Sequence, residues 1–210
     1  MKNIKGIIFD LDGVLVDTAR YHYLAWKRLA DELGFDFTIE DNERLKGVSR
    51  MQSLEILLEV GKVTMTEEQK EINATRKNTW YVEYLYTLDE TALLSGSKEY
   101  LQKLREEGIK IALGSASKNA PLILERLNIA SFFDAVIDGN SVSITKPDPE
   151  VFLKGAEALG LKPEDCAVFE DALAGIEAAK AGGMYAVAVG ERENLPGADM
   201  YISSLADMLG

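Results

Sequence analysis

Short apolar runs recur along the chain, and each ends at an acidic residue or a glycine. Within a run the apolar residues are nearly continuous and do not alternate with polar ones. Runs of this kind are typical of strands that are buried on both faces of a parallel sheet. The pattern predicts five strands, at residues 7–9, 109–113, 135–137, 166–169 and 185–189.

The segments between the later runs carry the marks of helix ends. Residues 96–108 start and finish at glycines, and Pro121 and Pro149 stand near the starts of the next two segments. Proline early in a helix and glycine after its last turn are typical of helices. Strand and helix therefore alternate from about residue 97 onward. This alternation predicts an α/β fold, with a Rossmann-like parallel sheet flanked by helices and joined by right-handed crossovers.

The region from residue 16 to residue 91 differs, because it lacks a convincing strand pattern. Residues 17–33 read as a helix that Gly34 closes, and residues 49–52 and 66–69 have the pattern of capping boxes that open two more helices. We predict an all-helical cap inserted after the first strand. The predicted domains are an α/β catalytic core of residues 1–15 and 92–210 and a helical cap of residues 16–91.

Composition excludes several classes of function. With 23 basic and 35 acidic residues the formal net charge is −12, which argues against a nucleic-acid or anionic-membrane surface. Cys166 and His22 are the single cysteine and histidine, so a disulfide framework and a Cys- or His-rich metal site are excluded. The first apolar run meets Asp10 too early for a signal peptide, and no run approaches the roughly 18 residues of a membrane span. We expect a cytoplasmic protein.

Two acidic pairs stand at the ends of predicted strands. Asp10 and Asp12 follow the first run, with Gly13 supplying a backbone conformation that other residues avoid, and Glu170 and Asp171 close the fourth. Ligands of open α/β sheets bind outside the carboxyl ends of the strands, and neighbouring carboxylates repel unless a cation or a shared proton compensates. The pairs therefore indicate a cation site. The simpler interpretations are an acidic turn for the first pair and a helix cap for the second.

Two further positions carry groups suited to an anion. Ser115 follows the second run in the segment Gly-Ser-Ala-Ser-Lys-Asn, where a hydroxyl and backbone N–H groups ahead of a helix can cradle an anion. Lys146 lies in Thr-Lys-Pro-Asp-Pro, just before another helix. Taken singly, Ser115 fits a helix cap and Lys146 fits a solvated lysine.

Together these features resemble the haloacid dehalogenase superfamily of phosphotransferases. Asp-x-Asp, Ser, Lys-Pro and Glu-Asp follow one another in that order at strand ends, and the helical insertion matches the superfamily's cap. The resemblance implies that Asp10 is the nucleophile that forms an aspartyl phosphate and that Asp12 is the general acid/base. The second Asp argues against dehalogenation, which the dehalogenase branch performs without it.

The resemblance also implies a metal and a phosphate site. A phosphoryl group and an attacking carboxylate are both anionic, so a divalent cation, an ammonium and N–H groups are needed to hold them together. Mg²⁺, one per chain, is the expected cofactor because it is a hard ion that takes a few carboxylates. The implied metal ligands are Asp10, Asp12, Glu170 and Asp171. The implied ligands of the transferring phosphate are Ser115, the N–H of Ala116 and Lys146.

Segments at residues 17–27, 45–50, 76–78 and 115–119 are similar to the β-phosphoglucomutase family. This similarity implies an intramolecular phosphotransferase that interconverts β-D-glucose 1-phosphate and D-glucose 6-phosphate through bound β-glucose 1,6-bisphosphate. A guanidinium matches phosphate geometry, so Arg50 is the natural ligand of the non-transferring phosphate. The implied substrate ligands are Lys46, Gly47, Arg50, Lys77, Ser117 and Asn119, and Thr18 and His22 are implied to link cap closure to the placement of Asp12.

Other interpretations stay open at this stage. A phosphatase acting on a small sugar phosphate would form the same aspartyl phosphate and pass it to water, but hydrolysis requires neither Arg50 nor His22. A sugar-phosphate sensor without catalysis would have no use for both Asp10 and Asp12. His22 could be a packed residue, and the cap lysines could be solvated. We expect a small-molecule sugar phosphate as partner, no nucleic acid, no membrane and a monomer.

Overall fold

The computed structural model describes residues 4–45 and 48–210. Six parallel strands form one sheet in the order β3-β2-β1-β4-β5-β6. All five predicted strands are confirmed. The sixth has three residues, two of them partly exposed, and this leaves too short an apolar run to stand out in the sequence. The strands are β1 (Gly6–Phe9), β2 (Lys110–Gly114), β3 (Ala135–Ile137), β4 (Cys166–Glu170), β5 (Tyr185–Val189) and β6 (Met200–Ile202).

The central strands are buried on both faces. Ile7 and Phe9 of β1 contribute to one hydrophobic core, and Ile8 contributes to the other. Ala167 and Val168 of β4 divide between the same two cores. Because successive side chains of a strand point to opposite faces, a sheet between two helical layers needs apolar residues at every position. This requirement explains the continuous runs in the sequence.

The described residues between 19 and 85 form four helices and no strand, after the first strand, which confirms the helical insertion. The isolated bridge between Val16 and Leu93 joins the two chain segments that connect the insertion to the sheet. The predicted domain bounds at residues 16 and 91 stay a prediction. The helices are α1 (Ala19–Leu33), α2 (Ile39–Glu43), α3 (Arg50–Gly61), α4 (Glu67–Leu85), α5 (Ser97–Glu106), α6 (Ala120–Arg126), α7 (Glu150–Ala158) and α8 (Leu173–Ala181).

Helix ends in the insertion follow local chemistry. The capping boxes predicted at Ser49 and Thr66 are both present, and in each the hydroxyl accepts a hydrogen bond from the N–H three residues on. Gly34 ends α1 with a φ of 86°, in the left-handed region that favours glycine. The short helix α2 was not predicted, although Thr38 opens it with a third capping box. None of the described helices is both long and apolar enough to cross a membrane.

The strand order creates the place for a site. β2 and β4 lie on opposite sides of β1. After β1 the chain continues to β2 on one side, and after β4 it continues to β5 on the other side. Residues that follow β1, β2 and β4 therefore meet at one edge, outside the carboxyl ends of neighbouring strands. Ligands of open α/β sheets bind at such a point.

Candidate active site

Three carboxylates converge at the carboxyl ends of β1 and β4. One oxygen each of Asp10, Glu170 and Asp171 lies within 4.8 Å of the other two. Asp10 is 7% exposed, and its N–H donates to the carbonyl of Phe169, which fixes it beside β4. Hard oxygen donors at this spacing suit a divalent cation. The described residues can therefore hold a metal ion here.

Lys146 lies within the same cluster. Its Nζ donates to Asp10 Oδ1 at 2.6 Å and to Glu170 Oε2 at 2.7 Å, and the residue is 2% exposed. Burial by itself would lower the pKa of Lys146, but the attraction of the two carboxylates outweighs it and raises that pKa. The interpretation of Lys146 as a solvated lysine is therefore wrong.

The cluster carries an excess of negative charge. Burial raises the pKa of Glu170 to about 7; repulsion from Asp10 adds to this, and attraction to Lys146 opposes it. Two glycines let the backbone pass close to these carboxylates: a Cβ at Gly13, whose φ is 83°, would collide with Asp171, and a Cβ at Gly175 would collide with Glu170. A positive charge bound here would relieve the repulsion among the carboxylates.

Asp12 is held by the start of the helical insertion. Its carboxylate accepts a hydrogen bond from the hydroxyl of Thr18, which is fully buried, and the Tyr81 hydroxyl in turn donates to Thr18 at 3.4 Å. Burial raises the pKa of Asp12 to about 7, with the charge of Asp10 adding to the rise and the Thr18 hydrogen bond opposing it. Asp12 can therefore hold or release a proton near neutral pH.

The segment after β2 forms a turn at the same edge. Ser115 is 2% exposed, and its Oγ accepts from the N–H of Ser117 at 3.1 Å. The Ser117 Oγ accepts from the N–H of Asn119 at 3.2 Å. Across the gap to the insertion, Asn119 Nδ2 donates to Asn78 Oδ1 at 2.9 Å. Ser115, Ala116 and Ser117 line the cavity described below.

A second cluster of buried polar groups lies between α1 and α4. Lys77 Nζ is 3.0 Å from His22 Nδ1, which accepts a hydrogen bond when the imidazole is neutral. The ammonium also lies 4.4 Å from the ring centre of Trp26 and 4.7 Å from that of Tyr81. Lys77 is 2% exposed, so the interpretation of it as a solvated lysine is wrong.

The charges of this second cluster have one sign. Burial lowers the pKa of Lys77 well below its usual value; the charge of Arg50 lowers it further, and the charge of Asp12 opposes this. The pKa of His22 is also well below its usual value, through burial first and then the charges of Lys77 and Arg50. Burial also lowers the pKa of Arg50. No carboxylate of residues 4–45 or 48–210 forms an ion pair with Arg50 or Lys77.

A cavity of about 960 Å³ joins the two clusters. Asp10, Asp12 and Asp171 line it from the sheet, and His22 and Trp26 line it from the insertion. The predicted site residues Lys46 and Gly47 lie outside the described residues. Some predicted site residues are described by the structure but are not among the residues that line the cavity. They are Thr18, Arg50, Lys77, Asn119, Lys146 and Glu170.

Three residues of this region were not among the predicted site residues. Trp26 and Tyr81 enclose Lys77, and Asn78 accepts from Asn119. A signal was present in the sequence, because His22 and Trp26 are four residues apart on one helix and Lys77 and Tyr81 four apart on another. Such pairs share a helix face. The sequence alone did not show that the two faces pack against each other.

Comparison with known proteins agrees with this geometry. A sequence model of the haloacid dehalogenase-like hydrolases matches residues 4–183. The chain is 45% identical over 209 residues to β-phosphoglucomutase of Bacillus subtilis, covering 98% of this chain and 92% of the relative. It is 32% identical to a phosphorylated carbohydrates phosphatase of Thermotoga maritima, covering 86% of this chain and 82% of the relative.

A solved structure gives the same result. The crystal structure of β-phosphoglucomutase from Clostridium difficile superimposes with a TM-score of 0.94 at 42% sequence identity, covering 98% of this chain and 93% of the other. The resemblance inferred from the motifs is thereby confirmed. The chain belongs to the haloacid dehalogenase-like hydrolase family.

Proposed function

We propose that the chain interconverts β-D-glucose 1-phosphate and D-glucose 6-phosphate as an intramolecular phosphotransferase. Relatives named β-phosphoglucomutase in Bacillus subtilis and Clostridium difficile, at 45% and 42% identity over nearly the whole chain, support this reaction. The phosphoryl group passes from the Asp10 carboxylate to a sugar hydroxyl. The resulting β-glucose 1,6-bisphosphate then turns over and returns its other phosphate to Asp10.

The nucleophile is the Asp10 carboxylate. Its Oδ1 accepts the hydrogen bond of Lys146, which keeps the carboxylate in place and puts an ammonium beside the incoming phosphate. In this proposal Ser115 and the N–H of Ala116 bind the other phosphate oxygens. The carboxylates of Asp10, Glu170 and Asp171 suit Mg²⁺. By resemblance to the family, the backbone carbonyl of Asp12 would complete the ligands from the protein. When bound, Mg²⁺ supplies the positive charge that offsets the repulsion between phosphate and carboxylate.

Asp12 handles the proton. A sugar hydroxyl must lose its proton as it attacks the phosphorus, and the same proton must return when the transfer runs backward. A carboxyl group whose pKa is about 7 can do both near neutral pH. Because Thr18 belongs to the segment that leads into the insertion, movement of the insertion also moves the donor to Asp12.

The observation that carries the proposal is a pair of basic side chains beside the cavity, Arg50 and Lys77, that form no ion pair with any described residue. A mutase must bind two phosphates, one at Asp10 and one at a distance. Arg50 and Lys77 lack a carboxylate partner in the described part of the chain, and a bound phosphate would supply the missing anion. We assign the second phosphate to Arg50, with Lys46, Gly47, Lys77, Ser117 and Asn119 completing the substrate site.

The second candidate is a phosphatase for a small sugar phosphate, the activity that the name of the Thermotoga maritima relative states. It would use the same Asp10 and Asp12 and release phosphate to water. The cations beside the cavity favour the mutase, because hydrolysis needs only one phosphate site. A sensor without catalysis is disfavoured, because the crowded carboxylates would repel a bound phosphate.

The product balance tests the proposal. The chain is supplied with Mg²⁺, β-glucose 1-phosphate and a trace of β-glucose 1,6-bisphosphate, and glucose 6-phosphate is followed against free phosphate. The α-anomer serves as the matched control. We expect glucose 6-phosphate to dominate with the β-anomer and a chelator to abolish turnover. An excess of free phosphate would favour the phosphatase. A monomeric state and a cytoplasmic location stay predictions.

A further inference from the structure

One side-chain oxygen joins the helix that carries Arg50 to the loop that carries Lys146. Gln52 is the third residue of α3, and its Oε1 accepts from the Ser49 N–H at 3.1 Å, as the capping box requires. The same Oε1 accepts from the Thr145 hydroxyl at 2.9 Å. Thr145 directly precedes Lys146.

The loop before Thr145 is held by the first residue of helix α7. Glu150, at the start of α7, accepts through Oε2 from the N–H groups of Ser143 and Ile144 at 2.9 and 2.7 Å. The loop is therefore anchored just before Thr145. At its other end Lys146 reaches Asp10 and Glu170. A shift of this loop would move the ammonium that faces the nucleophile.

The Gln52 side is held from the insertion. Arg50 is the first residue of α3, and Ser49 and Gln52 fix that turn through reciprocal hydrogen bonds. The direction in which the Arg50 side chain leaves the helix depends on this turn. Gln52 thus belongs to the structure that positions Arg50 and also contacts the loop that positions Lys146.

We propose that Gln52 and Thr145 are positioning residues that set the separation of the two phosphate sites when the insertion rests on the sheet. The inference builds on the proposed function. A bisphosphate of fixed length must fit between Asp10 and Arg50, so the site must hold α3 and the Lys146 loop at one distance. The hydrogen bond between them forms only in that arrangement, and it therefore also favours the state that excludes water from the aspartyl phosphate.

Thr145→Val tests this, because it removes the hydroxyl and leaves the capping box of α3 intact. We expect the ratio of free phosphate to glucose 6-phosphate to rise roughly threefold, the lower part of the range for one hydrogen bond at an accessible position. The Kd of glucose 6-phosphate, measured by calorimetry, should rise by a similar factor. Thr145→Ser keeps the hydroxyl and should restore both values.

The chain offers a matched control in α4. Gln69 closes the capping box with Thr66 as Gln52 does with Ser49, but among the described residues it has no hydrogen bond to the sheet side. Gln69→Ala should lower stability and leave the product ratio unchanged. Gln52→Ala should raise that ratio at least as much as Thr145→Val.

The outcomes separate the two proposals. A wild-type chain that makes no glucose 6-phosphate refutes the mutase; weaker binding of the sugar phosphate in Thr145→Val would still support the positioning role. Wild-type product ratio and Kd in Thr145→Val would refute the positioning role. So would a Gln69→Ala variant that shifts the ratio as far as Gln52→Ala does, since the effect would then come from helix capping alone.

Discussion

The two ends of the cavity bury charge in opposite ways. At the sheet, Lys146 lies 2.6 and 2.7 Å from carboxylates, so opposite charges pair inside the protein. In the insertion, Lys77 faces a neutral imidazole and two aromatic rings, and the nearby charge of Arg50 has the same sign. Buried charges are stable when they are paired and costly when they are not. At the sheet end the ammonium of Lys146 offsets part of the carboxylate charge, and a bound cation would offset the rest. At the insertion end no carboxylate of the described residues pairs with Lys77 or Arg50, so a bound anion would supply the missing charge.

The largest effect is expected from Asp10→Asn. The carboxamide keeps the shape of the side chain but cannot act as the nucleophile, so turnover should fall to background and no phosphorylated enzyme should form. Mass spectrometry of the intact chain after incubation with β-glucose 1,6-bisphosphate measures the phosphorylated fraction. Asp36→Asn, a change at an exposed acid paired with Lys27, is the control. Retention of phosphorylation in Asp10→Asn would move the nucleophile elsewhere.

The next largest effect is expected from two matched substitutions, one at the buried lysine of each end of the cavity. Lys146→Met leaves Asp10 and Glu170 without their cation and should lower the free energy of unfolding by about 3–5 kcal/mol at pH 8 with a chelator present. Lys77→Met removes a buried amine that has no described carboxylate partner, and should leave that free energy unchanged or higher. Urea titrations of both variants measure this. Equal losses would show that both lysines are paired.

Arg50→Ala should lower mutase turnover about 10- to 100-fold, the worth of charge-assisted hydrogen bonds to a phosphate. Hydrolysis of p-nitrophenyl phosphate, which has no second phosphate, should fall much less. Arg44→Ala is the control, because Arg44 is an exposed neighbour on the insertion that pairs with Glu59. Equal damage to both reactions would remove Arg50 from the second phosphate site.

The smallest effect concerns pH. The pKa of His22 is lowered in the folded chain, so below pH 6.5 the unfolded chain takes up a proton that the folded chain does not. Stability should therefore fall as pH drops from 7.5 to 5.5, and the fall should be about 1 kcal/mol larger than in His22→Gln. Urea unfolding at both pH values measures it. His22 is the one histidine, so no second imidazole obscures the difference. Parallel curves would show a solvated imidazole.

The sequence was sufficient to predict which side chains meet where each of them directly follows a predicted strand. Asp10, Ser115 and Glu170 each follow a predicted strand, and parallel strands bring their carboxyl ends to one edge, so that the cluster at the sheet was foreseeable. The cap cluster was foreseeable only in part. The similarity of residues 17–27 pointed to His22, but nothing local indicated that Lys77, 55 residues away, would lie 3.0 Å from it.

The sequence by itself determined five of the strands and the capping boxes at Ser49 and Thr66, because these depend on residue type and on spacing along one element. Only the tertiary structure decided which lysines are buried, how far the pKa of Asp12 rises and that Gln52 contacts Thr145 across 93 positions of the chain. Burial and electrostatic coupling arise between elements that are distant in sequence, and their strength depends on distances that the chain sets only when it packs.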